Sequence, residues 1–284
     1  MYFDTHNHSQ FSFDGGKTTV EKSAAAAIER GLGGVCFTDH YDFYVPEMKQ
    51  EHENRVREEF DVPAQQAEID RVNELIAAGA FGKKAAKKFR LFKGVEIGLY
   101  ETCREQIRRF IQEHSFDEVV ASVHYLDDTD PYWGSYYKGK NWKEAYGHYL
   151  ETLLKEMKWL NKDFDIMGHF DYIARYAPYP KESVLYRDFP GLLDEILRFL
   201  AENGKGFEIN TKTYQAYGLR TPELDRNILL RFMELGGEVI TLGSDSHESA
   251  HIGNKFEYFA QYVKSVGFRR LGHYENRRLK MVTI

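Results

Sequence analysis

The feature that most constrains the fold of this chain is an alternation of short apolar runs with longer amphipathic stretches. Short runs rich in Val, Ile and Phe are typical of buried strands, and the stretches between them are typical of helices. The pattern therefore predicts repeated strand–helix units. The predicted strands span residues 2–7, 34–38, 91–97, 118–123, 164–168, 206–210 and 238–243.

Capping and breaking residues predict where several helices begin and end. Ser/Thr–Glu spacing, Pro at a first turn and Gly after a last turn are the signals used. They predict helices within residues 18–31, 190–204 and 221–236, followed in the C-terminal tail by a helix and a final strand pair. Two segments exceed a simple connection: a charged, mostly helical insertion over 41–90, and an aromatic, Gly-containing loop over 125–141 that we expect to cover a pocket.

Seven strands, each followed by a helix, predict a single α/β domain over residues 1–284. The expected architecture is a distorted TIM-like (β/α)7 barrel, although periodicity alone also allows a two-sided open sheet. No Gly/Ser-rich or Pro-rich linker divides the chain.

Composition and charge exclude several classes of protein. Aromatic residues make up 15% of the chain, which excludes disordered and collagen-like classes. The apolar stretches are far shorter than a membrane helix, and the first residues lack a signal-peptide pattern, so we expect a cytoplasmic protein. A net charge of −6 without a basic tract argues against nucleic-acid binding. Cys36 and Cys103 are predicted to be reduced, buried packing residues.

The ends of the predicted strands carry the candidate chemistry. In chain order they read DTHNH, FTDH, GVEIG, ASVHY, MGHFD, EINT and GSDSH. A parallel barrel gathers these ends around one mouth, where active sites lie. His6 and His8 are two residues apart, so both imidazoles face one side of an extended strand, and Asp245 and His247 repeat that spacing. Converging imidazoles and carboxylates without thiolates predict a site for Zn, Mn or Fe.

A single histidine is more often a surface or core residue held by one hydrogen bond than a metal ligand. We therefore place outside the site four histidines in helical or tail contexts, His52, His114, His148 and His273. We also place outside it His251, which is close to the Asp245–His247 motif but one turn away. Nearby aspartates are candidates to orient the ligand imidazoles, and these are Asp4, Asp39 and Asp171.

The ordered set of motifs resembles the PHP (polymerase and histidinol phosphatase) family of metal-dependent phosphoesterases, and within it the histidinol-phosphate phosphatases. The first motif reads HNHSQFSFDG, and TDH, GVEIG, SVHY, GHFD and SDSH follow in order. The residues that match the family's metal ligands are His6, His8, Asp14, His40, Glu96, His124, His169, Asp245 and His247.

This resemblance implies a PHP domain that holds two or three divalent ions, with Glu96 and Asp245 as catalytic ligands. The ligand sets it implies are His6, His8, Glu96 and Asp245 for one ion, Glu96, His124 and His169 for a second, and Asp14, His40 and His247 for a third. Asp14 is also a candidate turn residue, since Gly15 follows it and the family varies at this position.

The ligand types themselves predict metal-assisted hydrolysis, because a bound metal lowers the pKa of water and stabilises charge on a transferred phosphoryl group. The resemblance implies a small-molecule phosphomonoester as substrate, L-histidinol phosphate, hydrolysed to L-histidinol and phosphate in histidine biosynthesis. An acidic chain needs dedicated cations for phosphate, and Arg175 and Arg220 follow strand ends, while Tyr125 offers a phenolic donor. Carboxylates proposed to accept the substrate's amine are Asp127, Asp128 and Glu208.

Other functions remain open at this point. A PHP-type phosphodiesterase or nuclease, or a protein-tyrosine phosphatase, would use the same metal site, although a nuclease should show a basic groove or a stacking platform. An amidohydrolase-like barrel commonly uses a carboxylated Lys ligand, and no strand-end Lys suits that role. A non-catalytic metal-binding barrel would need coordinatively closed sites. The sequence does not indicate an oligomeric state.

Overall fold

A computed structural model describes residues 1–15, 17–43, 60–217 and 220–284. Its main sheet is parallel, with the strand order β1-β2-β4-β5-β6-β7-β8 and the short β3 paired to β4. These strands are β1 Phe3–Asn7, β2 Gly34–Phe37, β3 His40–Asp42, β4 Arg90–Gly98, β5 Glu118–Ser122, β6 Ile166–Met167, β7 Gly206–Asn210 and β8 Val239–Gly243.

The sheet closes on itself nearly completely. Just beyond β8, the backbone N–H of Asp245 donates to the carbonyl of His6 over 2.8 Å, and the N–H of His8 donates to the carbonyl of Ser246 over 3.0 Å. These bonds join the first and last strands of the sheet at the carboxyl ends. The predicted barrel is therefore confirmed over the open sheet, and each of the predicted strands overlaps an observed one.

Helices cover the outside of the barrel in the described part of the chain. They are α1 Val20–Glu29, α2 Val62–Ala77, α3 Lys83–Lys88, α4 Arg104–Glu113, α5 Trp142–Leu160, α6 Tyr172–Arg175, α7 Pro190–Glu202, α8 Arg226–Glu234 and α9 Phe256–Val266. The predicted helix starting at Pro190 is observed. The cap of α1 is Thr19, one residue after the predicted Thr18, and its side chain accepts a hydrogen bond from the N–H of Lys22.

The predicted start of a helix at 221–222 is wrong. The helix begins at Arg226, after Asp225, whose carboxylate accepts the N–H of Asn227 and also that of Tyr186. Residues before this cap are held to another loop, since the N–H of Thr221 donates to Glu182 over 3.2 Å. The Thr221-Pro222 pair therefore lies in a loop that is hydrogen-bonded to another loop, and it does not begin a helix.

The predicted insertion over 41–90 is only partly described, since residues 44–59, which include His52, lie outside the described residues. Its described part contains the end of β3 and the helices α2 and α3. Helix α2 contributes buried Gln65, whose amide donates to Asp39 over 2.8 Å. The insertion thus packs directly under the loop that follows β2.

The amino end of the barrel is covered by a hairpin of β9 Arg270–Glu275 and β10 Arg278–Thr283, the strand pair expected in the tail. The His273 ring stacks on Phe3, with ring centroids 3.7 Å apart, and the Tyr274 hydroxyl donates to the carbonyl of Asp165. Both predicted thiols, Cys36 and Cys103, are buried and free. Within the described ranges, no helix combines the length and apolar character needed to cross a bilayer.

Candidate metal centre

A fully buried carboxylate, that of Glu96 near the end of β4, lies at the centre of the barrel mouth. Its Oε1 lies 2.8 Å from His169 Nε2 and 3.1 Å from His124 Nε2. Its Oε2 lies 3.0 Å from His6 Nε2 and 3.1 Å from His40 Nδ1. His8 Nε2 is 3.5 Å from the same Oε2. Five predicted histidine ligands therefore surround the predicted ligand Glu96.

A second group of candidate ligands lies beside the first, towards solvent. His247 Nε2 is 2.7 Å from Asp14 Oδ2, and His40 Nε2 is 3.7 Å from the same oxygen. With His8, these residues offer ligand atoms that all lie within 4.8 Å of one another. Asp245 joins the two groups, since its Oδ1 is 3.4 Å from His8 Nε2. The structure thus brings all nine predicted ligands to one mouth.

Strand geometry explains this convergence. The imidazoles of His6 and His8 leave β1 on one side, with ring centroids 5.2 Å apart, as their spacing predicts. His40 pairs in register with Glu96 across β3 and β4. Asp245, two residues after the end of β8, has a φ of 49°, a left-handed conformation that Asp tolerates better than most residues. This turn returns its carboxylate towards His8.

The donor set fits a divalent metal such as zinc. Ligand atoms around a tetrahedral zinc are roughly 3.3–3.5 Å apart, given Zn–N distances near 2.05 Å. The Nε2 atoms of His6 and His8 are 3.2 Å apart, and those of His124 and His169 are 3.4 Å apart. Moreover, the Nδ1 atom of His40 is buried and makes no hydrogen bond within the described part of the chain, although Glu96 Oε2 lies only 3.1 Å away. Facing nitrogens at this spacing around a carboxylate match a cation-binding cage.

The pKa shifts of His8, His40 and Glu96 suit metal binding, which requires neutral imidazoles and ionised carboxylates. Burial lowers the pKa of His40 to about 4. Burial, together with neighbouring His40 and His247, lowers the pKa of His8 well below its ordinary value. Burial alone would raise the pKa of Glu96, but the surrounding imidazoles of His6, His124 and His40 hold it well below the ordinary value.

Two carboxylates orient ligand imidazoles from behind. Glu208 Oε2 lies 2.9 Å from His6 Nδ1, and Asp42 Oδ1 lies 3.0 Å from His124 Nδ1. Burial opposes charge on both imidazoles, yet these carboxylates and Glu96 raise the pKa of each well above its ordinary value. Such partners fix the ring and increase the basicity of the ligand nitrogen.

The prediction of the orienting carboxylates was wrong. Asp4 instead accepts the backbone N–H groups of Ser244 and Gly253, so it braces the loop after β8. Asp39 similarly accepts the N–H and hydroxyl of Ser9, and Asp171 accepts the hydroxyl of Tyr214. Asp4 and Asp39 therefore hold backbone N–H groups of other loops, and Asp171 holds a tyrosine hydroxyl.

The sequence contained a signal for both missed residues. Glu208 is the inward-facing carboxylate of EINT, and Asp42 is two residues beyond His40, so each shares a strand face with the site. Glu208 was instead predicted to accept the substrate's amine. Its position behind His6, fully buried, corrects that prediction.

An open cavity of about 370 Å³ lies above the ligands. Among the predicted phosphate-binding residues, Arg175 lines it, buried, and donates to Asp245 Oδ2 over 3.0 Å and to Thr213 over 2.8 Å. Lys212 also lines it, with Nζ 3.1 Å from Asp245 Oδ1.

The structure does not bring the other predicted substrate-binding residues to this cavity. Arg220 donates to the carbonyl of Ala177 and is absent from the described lining. Tyr125 lines a separate depression with Asp127 and Asp128. There Asp127 faces His148 at 3.1 Å and Asp128 accepts the hydroxyl of Tyr100. Loop turns after β5 point these side chains away from the mouth.

Comparison with known proteins gives the family. The PHP domain family model matches residues 4–212, a span that contains seven of the nine predicted ligands. The chain belongs to the PHP family. The remaining ligands, Asp245 and His247, follow the matched span.

Members of this family with similar sequences are histidinol-phosphatases. The histidinol-phosphatase of Lactococcus lactis is 32% identical over 277 residues, which cover 97% of this chain and 95% of that protein. A probable histidinol-phosphatase of Clostridium acetobutylicum is 31% identical over 283 residues, 99% of each chain. The crystal structure of the Lactococcus lactis enzyme, complexed with Zn, L-histidinol and phosphate, matches with a TM-score of 0.82 at 31% identity, covering 98% of both chains.

Proposed function

We propose that this PHP-family chain is a metal-dependent histidinol-phosphatase, which hydrolyses L-histidinol phosphate to L-histidinol and phosphate in histidine biosynthesis. The observation that carries the proposal is the set of five imidazoles around Glu96 beneath a cavity large enough for a small molecule. Similarity over nearly the whole chain to an enzyme crystallised with Zn, L-histidinol and phosphate supports the choice of substrate. The partner is therefore a small phosphomonoester.

The proposed ligands form three sets around two or three divalent ions, Zn, Mn or Fe. Glu96 is the shared ligand because its two oxygens face different imidazoles. The proposed sets are His6, His8, Glu96 and Asp245, then Glu96, His124 and His169, and finally Asp14, His40 and His247. His40 is close enough to both Glu96 and Asp14 to connect the last set to the others.

When bound, the ions supply an activated water and stabilise charge on the phosphoryl group. The residues of the chain do the positioning. Glu208 and Asp42 fix the rings of His6 and His124 from behind. Arg175 and Lys212 each donate to Asp245, so this carboxylate is held in place and positive charge lines the cavity where a phosphate dianion enters.

We also propose that residues 1–284 form one PHP domain with a helical insertion over 41–90, and that the protein acts in the cytoplasm. In the described part of the insertion, Gln65 donates to Asp39, the residue directly before His40. This contact makes the insertion part of the support of the site.

A substrate panel tests the proposed function. L-histidinol phosphate, a chromogenic phosphomonoester, a phosphotyrosyl peptide and a short oligonucleotide are compared at equal protein and metal concentrations. We expect the highest kcat/KM for L-histidinol phosphate. Preference for the peptide or the oligonucleotide would contradict the proposed substrate, while leaving the metal centre intact.

A further inference from the structure

The cavity above the metal ligands has an aromatic rim on the loop that follows β5. Tyr132 and Trp133 line it and remain 51% and 42% exposed. Tyr132 meets Tyr176 edge to face, with ring centroids 5.0 Å apart. Large aromatic side chains that stay this exposed at the edge of a cavity add little to the core of the domain. Their position therefore favours contact with a bound molecule.

Asp130 lies between this aromatic rim and the metal ligands. The Tyr172 ring is 5.0 Å from the His169 ring, centroid to centroid, and its hydroxyl donates to Asp130 Oδ1 over 2.9 Å. The same oxygen accepts the N–H of Tyr132 over 2.8 Å. Asp130 is thus linked to the imidazoles through one tyrosine side chain, and it lines the same cavity as His124 and His169.

The second oxygen of Asp130 is available. Among the described residues, Asp130 makes no ion pair, and its Oδ2 accepts no hydrogen bond, while the carboxylate itself lines the cavity. The other carboxylates of the described lining differ. Asp14 faces His247 at 2.7 Å, and Asp245 accepts from Arg175 and Lys212.

The Lys and Arg side chains of the described cavity lining form ion pairs with carboxylates other than Asp130. Lys17 pairs with Glu248 over 2.7 Å, and Arg175 and Lys212 pair with Asp245. Among the described residues, Asp130 is therefore a partly buried carboxylate with no Lys or Arg side chain paired to it. A positively charged ligand group would satisfy it with a charge-assisted hydrogen bond, and the neighbouring aromatic faces would favour the same charge.

We propose that Asp130 determines the specificity of the site, with Oδ2 accepting a hydrogen bond from a cationic N–H group of the leaving alcohol while Tyr132 and Trp133 pack against that alcohol. This inference rests on the proposed function, because it assigns the end of the substrate opposite its phosphate. In histidinol phosphate the N–H donor is the ammonium or the imidazole, which share this chemistry.

The variant Asp130→Asn tests the assignment with little change in shape. Asparagine keeps Oδ1, so the bonds from Tyr132 and Tyr172 persist, while the negative charge and the accepting Oδ2 are lost. We expect kcat/KM for L-histidinol phosphate to fall by about 10- to 100-fold, mainly through KM. The selectivity ratio, kcat/KM for L-histidinol phosphate over that for phenyl phosphate, should fall by a similar factor.

A matched control lies on the same loop. Asp127→Asn removes an exposed carboxylate that faces His148 outside the cavity, and its left-handed φ of 50° suits Asn. This variant should keep the wild-type selectivity ratio. A fall of the ratio in Asp127→Asn equal to that in Asp130→Asn would overturn the assignment, since net charge alone would then explain it.

Two further substrates identify the donor. An aminoalkyl phosphate keeps the ammonium without the ring, and an imidazolyl-alkyl phosphate keeps the ring without the ammonium. The Asp130→Asn effect should persist on whichever substrate retains the contacted group. An equal loss on these esters and on phenyl phosphate would overturn the proposal. If the wild-type protein does not hydrolyse L-histidinol phosphate at all, the proposed function fails, and the ratio of aminoalkyl to phenyl phosphate still tests Asp130.

Discussion

At the scale of single residues, the centre depends most on Glu96, because its two oxygens contact imidazoles from β1, the β2–β3 region, and the ends of β5 and β6. Replacing it removes the only acidic group that these rings share among the described residues. The charge of a shared ligand cannot be supplied by a neighbour, since Asp14 and Asp245 lie at the outer side and are already bonded.

We expect Glu96→Gln to lower kcat by more than about 100-fold, beyond the loss typical of groups that only orient a ligand. Metal content, measured by elemental analysis, should fall with it, while thermal unfolding stays cooperative. The exposed Glu101→Gln is the control, since its partner is Lys155 at the surface. Wild-type activity and metal content in Glu96→Gln would refute the assignment.

The two predicted arginines should now behave differently. Arg175→Gln leaves Asp245 without its buried partner and removes positive charge from the cavity, so we expect kcat/KM to fall by at least about 10-fold. Arg220→Gln, outside the described lining, should keep kcat/KM close to the wild-type value. Steady-state kinetics with melting temperatures recorded in parallel makes the comparison. Similar kcat/KM values for the two variants would show that Arg175 has no special role.

Eight of the nine candidate ligands stand in a strand or close to its end, where the strand-end pattern could find them. Asp14 lies seven residues beyond β1 and was predicted only through the family's first motif. Strand faces place Glu208 and Asp42 at the site, but the imidazole that each of them orients could not be predicted. Which carboxylate faces His6 Nδ1 depends on how β7 twists against β1, and which faces His124 depends on β3, a strand of three residues. Neither relation leaves a local pattern.

At the scale of elements, strands β3 and β4 approach each other closely at Gly98, where Asp42 of β3 packs against the bare backbone of β4. A Cβ atom at Gly98 would lie 1.6 Å from Asp42 Oδ1, the oxygen that faces His124. The absence of a side chain on β4 therefore allows the carboxylate of β3 to reach the imidazole after β5.

Gly98→Ala should displace Asp42 and lower activity or metal affinity by about 10- to 100-fold, as loss of an orienting group does. The control is Gly191→Ala in α7, where no atom of the described residues outside the adjoining helix backbone lies within 4 Å of the added methyl group. It should keep full activity and gain up to about 1 kcal/mol of stability from reduced backbone freedom. Metal titration of both variants provides the measurement, and equal affinity in the two would contradict the role of Asp42.

The strands were predictable because buried parallel strands are continuous apolar runs. The elements that were missed are short or depend on distant contacts. β3 has only three residues, two of them partly exposed, so no periodicity can develop. The start of α8 is set by Asp225, whose bond to Tyr186 joins loops 39 residues apart. A local sequence pattern cannot predict a hydrogen bond between residues so far apart in the chain.

At the scale of the whole molecule, the barrel has a polar mouth and an aromatic base. Burial, and secondly Lys280, lowers the pKa of His273 at the base from 6.5 to about 4. Between these values the unfolded chain binds this proton and the folded chain does not, so the stability contributed by neutral His273 is lost as pH falls through this range.

We therefore expect His273→Phe, which keeps the stacking on Phe3, to lose less melting temperature than the wild type between about pH 6.5 and pH 4. Both proteins contain the histidines at the mouth, so the difference between their slopes of melting temperature against pH reports His273 alone. If the melting temperatures of the two proteins fall equally between about pH 6.5 and pH 4, His273 is not the group responsible.

The central claim joins the mouth to a reaction: the imidazole cage around Glu96 holds metal ions that the hydrolysis of L-histidinol phosphate requires. The most direct test measures phosphate release from L-histidinol phosphate by the purified protein, before and after removal of metals with a chelator, with bound metal quantified in both samples. We predict rapid release that disappears with the metal and returns on addition of Zn²⁺, Mn²⁺ or Fe²⁺. Undiminished release from metal-free protein, or no release from the metal-loaded protein, would contradict the account.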